Sequence, residues 1–373
     1  MSTRFRVTYR LRAADEDEAR ARAEGIAREQ TVEIPRELVP PGHVEDEILG
    51  RVEQVAPEAG AWRAVISYSP DSAGGEITQF LNVVFGNSSI QPGIRVTGIE
   101  PGAALAAALP RPRFGIAGIR RLCARPTGGL IAPVLKPMGL PPDYFARLAA
   151  GCVRGGADIV KEDHGLAGQP TAPFRARVRA VAGAVAEENA RTGRHALYFP
   201  NLSGRAEEIE DNLHFAREAG AGGIIVMPGL FGFGTVARIA GDAGLDLPVM
   251  THPAFLGPWV LAPDNGLDHG TLFGTVQRLA GADISVFPNV GGRFGFSAAD
   301  CRRIADACRD PAGHGPPILP SPGGGMSVER AADMTAMYGE DAVFLLGGSL
   351  LADPDRIDDA VARMRAALDD GRA

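Results

Sequence analysis

The sequence predicts an α/β protein in which a (β/α)8 TIM barrel over residues 113–373 follows a smaller α+β, ferredoxin-like domain over residues 1–112. Two observations carry this expectation. From residue 130 onward eight short apolar runs follow one another, each closed by polar residues or glycine and followed by a segment rich in Ala, Arg and Glu. The first hundred or so residues lack that repeat and instead show strand-like alternation around one helical segment.

The stretch FRVTYRL at 5–11 alternates apolar and polar residues, the pattern of a strand with one face buried. Segment 16–28 runs from acidic to basic, as a helix aligned with its own dipole would, and β-rich sequence surrounds 63–69. The later runs are LIAPVLKP (130–137), ADIVKED (157–163), ALYFPN (196–201), GIIVMPG (223–229), LPVMTH (247–252), DISVFPN (283–289), PILPS (317–321) and AVFLLGG (342–348). Their hydrophobicity is continuous, as strands covered on both faces require, and eight of them separated by helices make a closed barrel. A doubly wound open sheet is the alternative. No GxGxxG follows an early strand, so its dinucleotide-binding version has no support.

Composition narrows the function classes. With 45% of 373 residues hydrophobic and 22% charged, the chain can bury one large and one small core, which argues against disorder. A formal net charge of -7 without long basic runs disfavours nucleic acid as a partner. Cys123, Cys152, Cys301 and Cys308 lack CxxC spacing, so reduced thiols and a cytoplasmic location are expected. The N-terminal stretch holds no apolar block and no run is long enough to cross a bilayer, so no membrane association is expected either.

Active sites of such barrels lie at the C-terminal ends of the strands. The polar groups closing the runs are Lys136, then Lys161 with Asp163 and His164, Asn201, His252, Asn289, Ser321 with its glycines, and Gly347 with Gly348. Alternation puts Lys161 and Asp163 on one side of the second run and Glu162 on the other; if Ile159 faces the barrel interior, so do Lys161 and Asp163. Two readings of Lys161 stand side by side. It is either half of an interior ion pair, or a buried amine of lowered pKa that takes up carbon dioxide to form a carbamate for a hard divalent cation. PSPGGG (320–325) and LLGGS (345–349) close the seventh and eighth runs, where barrels of this kind hold phosphate on backbone N–H groups beside glycine. Together they predict one phosphate site.

GGADIVKEDHGLAGQP (155–170) resembles the RuBisCO segment in which a lysine that becomes carbamylated precedes acidic metal ligands. LKPMGL (135–140) is similar to the first-strand KPKxGL segment, PSPGGG to the seventh-strand phosphate loop, LLGGS to the eighth-strand double glycine, and AREQTVE (27–33) to the N-terminal segment that reaches into a neighbouring subunit. The order is the same, and the chain resembles the RuBisCO-like proteins, form IV of that superfamily, along nearly its whole length. The resemblance implies Mg2+ held by Lys161 as a carbamate and by Asp163, with Lys136 assisting proton transfer. It also implies a phosphate cradle of Ser321, Gly323, Gly347 and Gly348, and Glu29 lent to a second copy in a homodimer or larger homo-oligomer.

Departures from the family pattern argue against carboxylation. His164 stands where a third acidic ligand is expected, and three roles stay open for it: weak ligand, acid/base, or packing. Met138 replaces a lysine; Pro253 follows the retained His252 where the family has an arginine for the second phosphate; Phe287 lies near another phosphate-binding position. The sixth loop, NVGGRFGF (289–296), lacks the lysine that holds carbon dioxide, with Arg293 falling near its place. The implied substrate is a phosphorylated sugar with one phosphate, and the implied chemistry is enolisation. The carbamate on Lys161 or His252 removes a proton, and Lys136 or His164 returns one elsewhere.

Within the superfamily the pattern is most similar to the type that isomerises 5-methylthioribulose 1-phosphate in methionine salvage. The alternatives are a decarboxylase, or a transcarboxylase/hydrolase, acting on a sugar acid like 3-oxo-isoapionate 4-phosphate, and a non-catalytic regulatory protein. Phe231, Phe233, Phe255 and Trp259, in the fourth and fifth loops, either receive a methylthio group or simply pack.

Overall fold

The computed structural model describes residues 4–348 and 354–370. Its N-terminal part follows the order strand, helix, strand, strand, helix, strand of a ferredoxin-like unit. Phe5–Leu11 lies between Ala61–Tyr68 and Ile94–Glu100, antiparallel to both, and Arg51–Glu58 pairs outside Ala61–Tyr68. The alternation noted in the sequence is the burial pattern: Phe5, Val7, Tyr9 and Leu11 are all fully buried. The helix Glu16–Glu29 covers that face with Ala19, Ala23, Ile26 and Ala27. It starts where the Asp15 carboxylate accepts the Glu18 N–H at 2.9 Å, and three acids in its first turn complement the dipole.

The eight apolar runs form the strands Leu130–Leu135, Ile159–Glu162, Leu197–Phe199, Ile224–Val226, Val249–Thr251, Ile284–Pro288, Leu319–Gly323 and Val343–Leu346, called here the first to eighth barrel strands. All pairings are parallel, and the spatial order runs third, second, first, eighth, seventh, sixth, fifth, fourth. The two ends of that order meet in a parallel bridge between Asn201 and Ile225, where Ile225 N donates to Pro200 O at 2.9 Å and Leu202 N to Ile225 O at 3.0 Å. This contact closes the ring and rules out the open doubly wound sheet.

Inside the ring, Leu130, Ala132, Ile159, Phe199, Ile225, Met250, Ile284, Val286, Leu319, Val343 and Leu345 form one apolar cluster. The barrel is therefore filled rather than hollow, and each large side chain there contributes about 1.5–3 kcal/mol by leaving water. The covering helices pack closely enough to demand glycine at Gly155, where a Cβ would stand 2.5 Å from the Asp358 carbonyl oxygen and 2.7 Å from Val361 Cβ. A two-residue strand, Gly266–Leu267, leaves the barrel after its fifth strand and pairs in parallel with Arg95 and Val96 at the edge of the small sheet. Among the described residues, no helix is long and apolar enough to cross a membrane.

Candidate active site at the C-terminal mouth of the barrel

The second barrel strand organises the site. Ile159 belongs to the interior cluster, so alternation turns Lys161 inward, where only 1% of it is exposed. Asp163 follows the strand end at the rim of the cavity. Glu162 points the other way, toward the helix Phe174–Thr192, and is fully buried against Arg177. Arg177 Nε and Nη2 donate to its two oxygens at 2.6 and 3.1 Å, Tyr198 Oη donates at 2.6 Å, and the Asn201 backbone N–H at 3.0 Å. The same Arg177 reaches the carbonyls of Ala167 and Ala172 through Nη1 at 2.7 and 2.6 Å. Asn201 Nδ2 holds the carbonyls of His164 and Leu166 at 3.2 and 2.9 Å, and Gln169 Nε2 that of Gly165 at 2.7 Å. The loop carrying Asp163 and His164 is thus fixed from behind by a charged hydrogen-bonded network, in which the buried Asn201 Oδ1 alone of these groups accepts nothing.

In front of it lies a cavity of about 1050 Å3, above the apolar barrel core and lined by loops from the first, second, fifth, sixth, seventh and eighth strands. This is ample for a sugar phosphate, since small-molecule sites span roughly 300–1,000 Å3. Lys136, Lys161, Asp163, His164, His252 and Arg293 all line it. Lys136 Nζ lies 3.3 Å from Asp163 Oδ1, and His164 Nδ1 lies 3.5 Å from the same oxygen. Burial works to raise the Asp163 pKa, but the hydrogen bond from His164 and the charges of Lys136 and Lys161 outweigh it and hold the carboxyl well below the usual range. Burial lowers Lys161 to about 8, with Asp163 opposing and Lys136 reinforcing the shift. Its Nζ donates to the Glu162 carbonyl at 2.8 Å. The rings of His164 and His252 stack at 4.2 Å between centroids, 17° from parallel. Burial, then the charges of Lys161 and His164, keep His252 neutral by lowering its pKa well below the ordinary value. Its Nδ1 accepts the Ala254 N–H at 3.2 Å, which leaves the ring proton on Nε2.

Glycines line the cavity from the fifth- and sixth-strand loops, as Gly257, Gly291, Gly292 and Gly295, and from the seventh and eighth, as Gly323, Gly324, Gly325, Gly347 and Gly348. Ser321 does not: it is fully buried, and its hydroxyl donates to the Val343 carbonyl at 2.9 Å. Pro253, Phe255, Leu261, Phe273, Phe287, Phe294 and Phe296 form an apolar wall on the fifth- and sixth-strand side. Phe255 is 70% exposed with a left-handed backbone φ of 67°, and Phe294 lies under the Arg293 guanidinium at 5.1 Å. Phe231, Phe233 and Trp259 lie outside the lining; Phe233 packs on Trp259 with ring centroids 6.2 Å apart. Met138 is 57% exposed, and its Cε lies 2.9 Å from where a Cβ on Gly165 would stand. Glu29 is not in this cavity; it ends the helix Glu16–Glu29 and accepts from Asn87 Nδ2 at 3.0 Å.

As unmodified side chains, these groups favour an anion. Asp163 is the one carboxylate lining the cavity among the described residues, against the cations of Lys136, Lys161 and Arg293. Among the described residues no cluster of three His, Cys, Asp or Glu can hold a metal ion. A carbamate on Lys161 would replace a positive charge by a negative one and bring oxygen donors next to Asp163. With it, the donor set fits a hard cation. The lowered pKa supplies the neutral amine that such a modification consumes.

The bracing residues Arg177, Tyr198 and Gln169 were not singled out in the sequence. A signal existed for Arg177, which interrupts the apolar face formed by Phe174, Val178 and Val181.

Residues 115–294 match the family described as ribulose bisphosphate carboxylase large chain, catalytic domain. Ribulose bisphosphate carboxylase-like protein 1 of Rhodopseudomonas palustris is 40% identical over 369 residues, covering 99% of this chain and 98% of that protein. The 5-methylthioribulose-1-phosphate isomerase of Rhodospirillum rubrum is 38% identical over 374 residues, covering 99% and 97%. Among solved structures, the Rubisco-like protein from Rhodopseudomonas palustris superimposes with a TM-score of 0.86 at 36% identity, covering 99% of both chains.

Proposed function

This chain belongs to the RuBisCO large-chain family as a RuBisCO-like protein, and from that premise we propose that it is a Mg2+-dependent isomerase of a sugar monophosphate, with 5-methylthioribulose 1-phosphate as substrate. One observation carries the reading. A single cavity joins acid/base groups to a glycine-rich cradle, and faces a largely apolar wall whose one cation among the described residues is Arg293. A substrate with one phosphate and one apolar end suits both sides of it.

The phosphate lies on the backbone N–H groups beside Gly323, Gly324, Gly347 and Gly348, with Arg293 at the rim. The methylthio end lies against Phe255, Phe294 and Phe296. The Lys161 carbamate and Asp163 would hold Mg2+, which when bound would supply Lewis-acid stabilisation of enolate charge. Lys161 as the carbamate takes the proton next to the carbonyl. His252 carries its ring proton on Nε2 and serves as a neutral donor to a substrate oxygen. Lys136, an ammonium held at 3.3 Å from Asp163, returns a proton to the neighbouring carbon. His164 lies against the His252 ring and orients it. Glu29, outside its own chain's cavity lining and held by Asn87, completes the site of a second copy in a homodimer. The decarboxylase reading shares the proton and cation chemistry, but the largely apolar wall offers a substrate's second anionic group only Arg293, which this reading assigns to the phosphate.

The test is incubation with Mg2+, bicarbonate and 5-methylthioribulose 1-phosphate in deuterium oxide. Isomerised product carrying solvent deuterium is expected. Neither product nor exchange would sink the isomerase reading, and release of carbon dioxide from an oxo-acid phosphate would replace it with decarboxylation.

A further inference from the structure

The cradle needs support from outside itself. Residues 291–295, after the sixth strand, and 323–325, after the seventh, both line the cavity and are largely glycine, so no side-chain packing of their own fixes these peptides. Arg330, just before the helix Ala331–Tyr338, spans the two loops. Its Nη1 donates to Gly325 O at 2.5 Å and its Nη2 to Val290 O at 3.0 Å. The guanidinium lies flat against both segments: a Cβ on Gly325 would stand 2.7 Å from Nη1, and one on Gly291 3.2 Å from Nη2. Its remaining hydrogen bond is to Met334 Sδ at 3.9 Å, and among the described residues it makes no ion pair. Asn289 adds an inner tie, Nδ2 to Gly324 O at 3.3 Å, with its own Oδ1 held by Tyr338 Oη at 2.6 Å.

We propose that Arg330 is the positioning residue of the phosphate cradle: its fork locks the sixth- and seventh-strand loops together, and its unbalanced charge makes the cradle selective for a phosphate monoester dianion. The hydrogen-bond partners of this guanidinium are two carbonyls and a thioether, none of them anionic, and a half-buried charge acts on neighbouring anions with less screening than an exposed one. Lysine cannot substitute, because a single ammonium on a flexible stem does not hold two diverging carbonyls in one plane. The inference rests on the phosphate reading of these glycines given under Proposed function.

The test is calorimetric titration of the full chain with inorganic phosphate, alongside kinetics and thermal melts, for wild type, Arg330→Met, Arg330→Lys and Gly323→Ala. The Gly323→Ala methyl is tight only against the end of the Leu345 side chain, at 3.1 Å, with Phe287 O at 3.7 Å and Val286 Cγ1 at 3.8 Å in ordinary contact, so that variant perturbs the cradle and not the fold. Arg330→Met is expected to weaken phosphate about tenfold or more and to raise KM by a similar factor with kcat changed less than about threefold. Arg330→Lys should recover only part of this, and serves alone if the methionine variant does not fold. A merely structural role would lower the melting temperature without moving the phosphate Kd. If wild type binds phosphate, Gly323→Ala weakens it, and the Arg330 variants bind like wild type, the Arg330 inference alone is overturned. If wild type does not bind phosphate, the cradle reading falls and takes this inference with it.

Discussion

Arg177 and Glu162 form a two-pronged ion pair with both side chains completely buried, Nε to Oε1 at 2.6 Å and Nη2 to Oε2 at 3.1 Å, directly behind the strand that carries Lys161. Removing one partner strands the other charge in a medium that cannot solvate it. Arg177→Met is expected to cost about 3–5 kcal/mol, read as a lowered denaturant midpoint. Because Arg177 also holds the carbonyls of Ala167 and Ala172, the loop bearing Asp163 should loosen, and metal affinity should fall along with stability. A variant as stable as wild type would show that the pair is dispensable.

Lys161 makes the opposite prediction. Burial lowers it to about 8, so below that pH the fold carries the cost of an enclosed ammonium. Replacement by the isosteric, uncharged methionine should raise stability at neutral pH by up to about 3 kcal/mol while abolishing turnover. The sign with pH follows. The folded-state pKa is depressed, so wild-type stability rises as pH climbs from about 8 toward the unfolded lysine value of about 10.4, and that rise should be missing in Lys161→Met. Matching stability-against-pH curves would refute the buried-charge account.

Carbamate formation draws on the neutral amine only. Preincubation with Mg2+ and carbon dioxide at a series of pH values, followed by assay at one pH, should give activity that climbs through about pH 8 and then levels. Asp163 stays ionised across this range, since His164 and the two lysines hold its pKa down against burial, so it adds no second inflection. Activity independent of added carbon dioxide would remove the carbamate from the mechanism.

Much of this was legible in the sequence because it is local. Eight apolar runs became eight barrel strands, and alternation at Ile159, Lys161 and Glu162 gave the inward and outward faces correctly. What escaped depends on contacts distant in sequence. The Asn201–Ile225 bridge that closes the ring is one. Another is Gly266–Leu267, which joins the small sheet beside Arg95 and is too short to carry any periodicity. Side-chain direction within a glycine-rich motif was equally hidden: the Ser321 hydroxyl turns to Val343 O, while the glycines after it face the cavity. The aromatic residues sorted the same way, with Phe255 lining the cavity and Phe231, Phe233 and Trp259 outside it.

Phe255 offers the sharpest check on the proposed substrate. A non-glycine residue in the left-handed region costs roughly 1–2 kcal/mol, and an aromatic ring 70% exposed at a cavity edge recovers little of that by burial in the free protein. Phe255→Gly should therefore leave stability unchanged or slightly higher, because glycine takes that backbone without strain. If the ring covers the methylthio group, its loss forfeits about 1–3 kcal/mol of apolar contact, so kcat/KM for the methylthio sugar phosphate should drop roughly tenfold to a hundredfold. An analogue bearing a hydroxyl in place of the methylthio group never gained from that contact, so its kcat/KM should change little. Equal losses on both substrates would place the ring in general loop packing and move the apolar end of the sugar elsewhere along the wall, toward Phe294 and Phe296.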